Sequence, residues 1–480
     1  MVPATTDGSA GGAGELSPPA RGPEEGSEIR HAIPLAIAAA LVGVVSLLTT
    51  VFVAHVLSTE GYGTLIVLLG LFLVVSMPGT ALLVGVVRRV SAWQTGGLGD
   101  RVRPWVARVH RVGEVSIVVV ALVMWLIRGP VSHALSLPSP SGVAEIMTAG
   151  GIWILVSVDR GLLQVGRDYK DLSINLVIEA ATRCALTVGL AAELGVEGAA
   201  LGLLFAELLT ATHARFTATR AVVRGTALAR LVDEPPGPEV AIEETGGAVA
   251  MTVHGGRVLL VDVLAALGSL LFLAILQNAD VILLGREMHK HSGAYAAISV
   301  PAKALVFVAL VLVNYLLPEA AIRHQRGSHA LRQLAHTFGV IAIPCGVLLA
   351  MAVFASHRVL SLVFGEKLTA AGPAFSTLVL AMVFMCVSVA LAIYLLGIGW
   401  RWVVVVLAVG AGALAGATAA AHGQYLATAR ADLSVQVGLS AVMTVCFVAV
   451  HRSSVKRRAQ GADALSQASS PATARKRPGR

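Results

Sequence analysis

At 480 residues the chain has the length of about three soluble domains, yet hydrophobic residues make up 56% of it and charged residues only 13%, about half the charged share of a globular protein. So few charges cannot cover a soluble surface. The mean hydropathy of +0.78, with apolar runs beyond about 18 residues, points to an all-α integral membrane protein. The net charge of +8 does not mark a nucleic-acid binder, because the Arg residues lie in loops between apolar runs, where they act as topology determinants facing anionic lipid.

In chain order, residues 1–31 are rich in Gly, Pro, Ser, Ala and Glu without an apolar stretch, and read as a disordered cytoplasmic tail. Spanning helices are expected at about 32–56, 63–87, 108–127, 142–165, 171–192 and 195–214, near the ~20 residues that one crossing requires. Residues 215–257 carry Asp233, Glu234, Glu239, Glu243 and Glu244 beside Pro235, Pro236 and Pro238, and read as a flexible cytoplasmic linker. Further spans are expected at about 258–284, 294–317, 333–355, 370–397, 401–421 and 432–451, the 370–397 run being long enough to tilt or to kink near Pro373. Residues 452–480 read as a basic, disordered cytoplasmic tail.

The expected architecture is therefore about twelve helices in two six-helix lobes, 32–214 and 258–451. Loop charges support the alternation. One side holds most of the Lys and Arg, whereas the other holds only Arg128, Arg286, Lys290, Arg358, Lys367 and Arg430. The positive-inside rule then places both termini in the cytoplasm of a multi-pass cell-membrane protein.

Motifs of covalent chemistry are missing. Cys184, Cys345, Cys386 and Cys446 lie far apart inside apolar runs, so neither disulfides nor a zinc site is expected. His289 and His291 flank Lys290 in what reads as a polar loop, and the sequence has neither H-E-x-x-H nor a Walker-type phosphate loop. No catalytic residue, metal or cofactor is expected. Gly412 and Gly416 have the spacing that packs helices. A faint repeat links the halves: Ser58-Thr59-Glu60-Gly61-Tyr62-Gly63 opens the second helix, and His291-Ser292-Gly293-Ala294-Tyr295 opens the eighth. Such a repeat places a substrate path at the interface between lobes.

A family resemblance enters at these residues. Residues 51–89, with the Ser58 to Gly63 turn and the closing Arg88-Arg89, resemble the start of oligosaccharide-lipid flippases, the polysaccharide exporters of the multidrug/oligosaccharidyl-lipid/polysaccharide (MOP) superfamily. Asn278-Ala279-Asp280-Val281-Ile282-Leu283-Leu284-Gly285, followed by Gly293-Ala294-Tyr295 and Leu316-Leu317-Pro318, resembles that family's seventh and eighth helices. Asp159-Arg160-Gly161-Leu162-Leu163-Gln164 with Gly166-Arg167 resembles its fourth helix and inner turn, and Gly195 to Gly202 resembles the start of its sixth. The resemblance covers most of 32–451. It implies two lobes around a central cavity that opens alternately to either side and moves a polyprenyl-diphosphate-linked glycan outward.

Charges inside the spans carry the functional information, because each costs about 2.5 to 3.5 kcal/mol at mid-bilayer and needs a partner or a watery cavity. Glu179 and Arg183 sit i, i+4 on one helix face, either as a self-neutralising pair or as a site where Arg183 exchanges Glu179 for an anionic substrate. Asp159 and Arg160 lie about 100° apart and should face different partners. Arg160 either snorkels to headgroups, joins a structural pair or lines the cavity. Lys303 and Asp280, on antiparallel neighbours, are within reach of an outer-gate bridge, and Lys303 is equally open to substrate contact. Glu207 has no sequence partner, and is read either as silently protonated or as a proton or cation site.

The candidate substrate-binding residues are thus Arg160, Arg183 and Lys303, with Glu179, Glu207 and Asp280 as coupling or gate residues. The leading expectation is a flippase of a lipid-linked oligosaccharide, not an enzyme. Its partners would be membrane lipid and the glycosyltransferases and polymerase of the same pathway. The alternatives are a multidrug or small-cation antiporter of the same superfamily, which would need a deep acidic site, and a membrane glycosyltransferase or polymerase, which would need long catalytic outer loops.

Overall fold

The computed structural model describes residues 23–95, 98–231, 256–288, 292–325, 330–397 and 400–469, and among them it is helical with no strand. In lipid every backbone N–H and C=O must be paired inside its own segment, so each apolar run becomes a helix. The helices are α1 (Pro23–Val56), α2 (Thr59–Ser76), α3 (Pro78–Thr95), α4 (Val102–Ala134), α5 (Val143–Val165), α6 (Tyr169–Leu231), α7 (Gly256–Glu287), α8 (Ser292–Gln325), α9 (Ala330–Phe354), α10 (Ser356–Phe364), α11 (Gly372–Gly397), α12 (Val403–Ala419) and α13 (Tyr425–Ser469).

The twelve expected spans fall on helix, the second of them, 63–87, being divided between α2 and α3 at Met77. Among the described residues, 7 helices are long and apolar enough to cross a membrane alone, or 8 with the α9–α10 pair, which bends by 97° between Phe354 and Ser356. Shorter apolar helices occupy Leu41–Val56, Ser292–Phe307 and Val403–Ala419. The fifth and sixth spans are the two helical arms of α6, which reverses at Gly195, whose non-helical φ of 64 and ψ of -138 suit glycine alone. The two arms, 169–194 and 196–231, then run antiparallel in backbone contact. A Cβ on Gly198 would lie 2.5 Å from the Leu190 carbonyl carbon, and one on Gly202 would lie 2.7 Å from Thr187 Cα.

Three boundaries differ from expectation. α6 continues to Leu231, so the first part of the expected linker is helix, and its remainder, 232–255, lies outside the described residues. Helix also covers 23–31 and 452–469, since the Ala, Arg, Lys and Gln of 452–469 favour helix with or without lipid. Pro373 does not kink a long span. It sits in the first turn of α11, where its missing N–H leaves nothing unpaired, after a 3-10 turn at Glu366–Ala371. His289, Lys290 and His291 lie outside the described residues. The four cysteines are free.

The helices sort into two halves. α5 packs on α2, α3, α4 and α6, while α11 packs on α8, α9 and α13, and α12 on α7 and α13. The halves meet through α2 against α7 and α8, α3 against α7, and α1 against α10. At the end that the loop charges assign to the outside, the two halves are in backbone contact. A Cβ on Gly63 would lie 2.6 Å from Gly293 N, and one on Gly293 would overlap the Thr59 carbonyl, whose carbon is 3.0 Å away. Tyr62 packs on Phe364 with ring centroids 6.3 Å apart. Lys367 Nζ donates to the Leu57 carbonyl at the C-terminal end of α1 at 2.9 Å. The two Gly-Tyr turns that repeat in the sequence therefore close against each other.

Candidate functional site

Two polar clusters lie inside the helical bundle, one in each half. In the amino-terminal lobe, the reversal at Gly195 turns the second arm of α6 back along the first, and α5 packs beside both. Arg160 of α5 donates from Nε to Asn175 Oδ1 at 2.9 Å and from Nη2 to Glu179 Oε2. Arg183 donates from Nη2 to both Glu179 Oε1 and Glu207 Oε1. Asn175 Nδ2 reaches the Thr210 carbonyl at 3.1 Å and His213 Nδ1 at 3.2 Å, which orients its amide toward Arg160. The result is an alternating chain of guanidinium and carboxyl groups, Arg160, Glu179, Arg183, Glu207.

Burial is uneven along that chain. The Glu207 side chain is 0% exposed and that of Arg160 7%, whereas the Arg183 side chain is 28% exposed. Arg183 also lies over the Phe72 ring of α2, 5.7 Å from its centroid. Because one Arg183 nitrogen makes both carboxylate contacts, its buried Nε is left without a partner among the described residues, as is Glu207 Oε2.

In the carboxy-terminal lobe, Lys303 Nζ of α8 donates to Asp280 Oδ1 of α7 at 2.8 Å, and the Tyr295 hydroxyl donates to Asp280 Oδ2 at 3.2 Å. Tyr295 stacks on Tyr425 of α13, with centroids 6.4 Å apart. One helix over, Asp432 Oδ1 accepts from Gln436 Nε2 at 3.2 Å. Asp432 Oδ2 and Gln436 Oε1 are buried without a partner among the described residues.

The expected pairs Glu179 with Arg183 and Asp280 with Lys303 both form, and Asp159 and Arg160 face different partners. Arg160 does not snorkel, because Glu179 and Asn175 hold its head inside the lobe. Glu207, which had no partner in sequence, receives Arg183 from the antiparallel arm. The two clusters share no ion pair or hydrogen bond among the described residues. Sequence reasoning missed Asn175, Asp432, Gln436 and the buried pair of His110 with Asp159. Asp432 was hidden by placing the last span's start on it. The helix begins at Tyr425, two turns earlier, which buries Asp432.

No family model matches the sequence, and no curated protein matches it in sequence. Solved structures do match. A multidrug-resistance MATE-family transporter of the MOP superfamily, in an inward-facing conformation, aligns with TM-score 0.62 at 11% identity over 88% of this chain and 99% of its own. An outward-facing MATE transporter aligns at 0.56 and 13% identity over 90% of this chain and 98% of its own. The lipid II flippase MurJ in an inward closed conformation aligns at 0.58 and 11% identity, covering 85% of this chain and 86% of its own. All three are similar to this chain in fold and distant from it in sequence. The chain is a multi-pass membrane protein whose described residues are helical and share the fold of these solved transporters.

Proposed function

We propose that this protein is a flippase that carries a lipid-linked oligosaccharide, or a related polyprenyl-diphosphate glycan, from the inner to the outer leaflet of the cell membrane by alternating access. The observation that carries the reading is Arg183. It is the most exposed of the three intramembrane cations, both of its carboxylates share one nitrogen, and its Nε has no partner among the described residues. A planar guanidinium with donors to spare can exchange carboxylate for two phosphate oxygens. Loading takes place while the outer seam is closed. Parting of Gly63 from Gly293 then opens the other side. The cargo's diphosphate is anionic, so an inside-negative potential drives its export, worth about 2.3 kcal/mol per charge per 100 mV. Both termini face the cytoplasm, where glycosyltransferases build the cargo, and a polymerase consumes it outside.

A second reading, export of a drug-like cation, is favoured by Asp432. Buried Asp159, Glu179, Glu207, Asp280 and Asp432 outnumber the buried cations Arg160 and Lys303, and Asp432 forms no ion pair among the described residues. The test uses proteoliposomes carrying either a fluorescent polyprenyl-diphosphate glycan or a cationic dye, with protein abundance measured in parallel. Arg183→Ala alone leaves Glu207 unpaired. Adding Glu207→Gln removes that charge and keeps the Arg160 to Glu179 pair whole, so abundance should recover while glycan flipping stays lost. A double mutant that flips the glycan at full rate overturns the role of Arg183. Export of the dye but not of the glycan by the unmodified protein establishes the second reading.

A further inference from the structure

His110 and Asp159 lie outside both clusters, in the half of the amino-terminal lobe that the loop charges assign to the cytoplasm. His110 Nδ1 is 3.0 Å from the Val106 carbonyl oxygen, and Nε2 is 2.7 Å from Asp159 Oδ1. A carbonyl only accepts, so Nδ1 carries a hydrogen. A neutral imidazole has no second one to give, so the hydrogen that the 2.7 Å contact between Nε2 and Asp159 Oδ1 requires is an added proton, and both side chains are 3% exposed. We propose that His110 and Asp159 form a proton-binding site, occupied as an imidazolium-carboxylate pair, and that the bound proton fastens α4 to the lobe.

The packing of α4 gives the proton this leverage. Only Val102, His110 and Ser132 are buried among its residues, whereas Val112, Val115, Val118, Leu122 and Leu126 are exposed on its flank. Ser132 bonds within its own hairpin, to the Leu137 carbonyl. His110 is therefore the buried side chain through which α4 makes a polar link to α5.

The surroundings fix the charge balance. On α4, Glu114 lies one turn beyond His110 and pairs at 2.8 Å with Arg215 of α6, both partly exposed. Arg108 and Arg111 of α4 are exposed. On α5, Arg160 turns away toward Glu179. Beside Gly161 of α5, α3 presents Leu83 and Val86. With the proton bound, His110, Asp159, Glu114 and Arg215 sum to zero. Release of the proton from Nε2 to water at the inner face leaves a buried carboxylate with no cation in hydrogen-bond contact among the described residues, Arg215 being bonded to Glu114. α4 then loosens from α5 beside Arg160, so the proton acts on access to the amino-terminal cluster. The inference goes beyond the flippase reading and involves no cargo.

The test uses the full chain in lipid nanodiscs with 15N-labelled histidine. Near neutral pH an imidazolium signal, with both ring nitrogens protonated, should appear that is absent in His110→Gln. A neutral ring at His110 overturns the proposal. In a chain freed of its four cysteines, spin labels at positions 112 and 174 should report a distance distribution that broadens from acidic to alkaline pH. His110→Gln can still donate to Asp159 but cannot titrate, so its distribution should stay narrow at every pH. The same pH response in His110→Gln, or none in the parent, overturns the fastening role. If His110→Gln fails to fold, Asp159→Asn serves instead, and an imidazolium signal that survives it overturns the pair.

Discussion

Gly293→Ala should open the outer seam. A methyl group at this position overlaps the Thr59 carbonyl, with its carbon 3.0 Å away and Thr59 Cγ2 at 3.1 Å. Two of these atoms are backbone at the start of α2, which cannot turn aside as a side chain can. Overpacking of this kind costs about 1 to 3 kcal/mol. Gly293 and Thr59 belong to different halves of the protein, so the cost falls only on the state in which those halves touch. The outer-open population should therefore rise by about 5- to 150-fold. Ala297 shares the helix face of Gly293 one turn on and is 0% exposed. In a cysteine-free background, Ala297→Cys should react with an impermeant thiol reagent faster by that factor once Gly293→Ala is added, because labelling tracks the open fraction. An abundant Gly293→Ala protein with an unchanged labelling rate would refute the assignment of this contact as the outer seal.

Gly198→Ala provides the contrast, because its clash with the Leu190 carbonyl lies within one lobe and persists in every conformer. It should lower the melting temperature and abundance of the purified protein without changing Ala297→Cys labelling, and a shift in labelling at unchanged stability would contradict the rigid α6 hairpin. Asp280→Ala strands the Lys303 ammonium, whose side chain is 9% exposed, and should cost about 3 to 5 kcal/mol. Adding Lys303→Met should restore abundance, and a double mutant that also transports at full rate would remove the bridge from the mechanism.

Much of the protein could be read from the sequence because lipid leaves the backbone little choice. An apolar run of crossing length must pair its own N–H and C=O groups, so helix positions and fold class follow from local composition. Local geometry likewise gave the Glu179 to Arg183 pair, whose spacing puts both side chains on one helix face, and the divergence of Asp159 from Arg160. The Asp280 to Lys303 bridge followed from the expectation that consecutive helices run antiparallel at similar depth.

The remaining contacts depend on how helices that are apolar nearly all round are rotated against each other, and hydrophobic periodicity carries no signal there. The sequence held nothing to say that Gly195 would bring Glu207 to Arg183, that α5 would send Arg160 to Glu179 and Asp159 to His110, or that α13 would begin early enough to bury Asp432. Nor could it show that two faintly similar Gly-Tyr turns, 233 positions apart by their tyrosines, close on each other. Composition determined that this chain folds as a bundle of membrane helices. Only the tertiary structure decided which of the few charges inside it are neutralised, because a buried charge is stabilised by the partners that packing supplies and not by its neighbours along the chain.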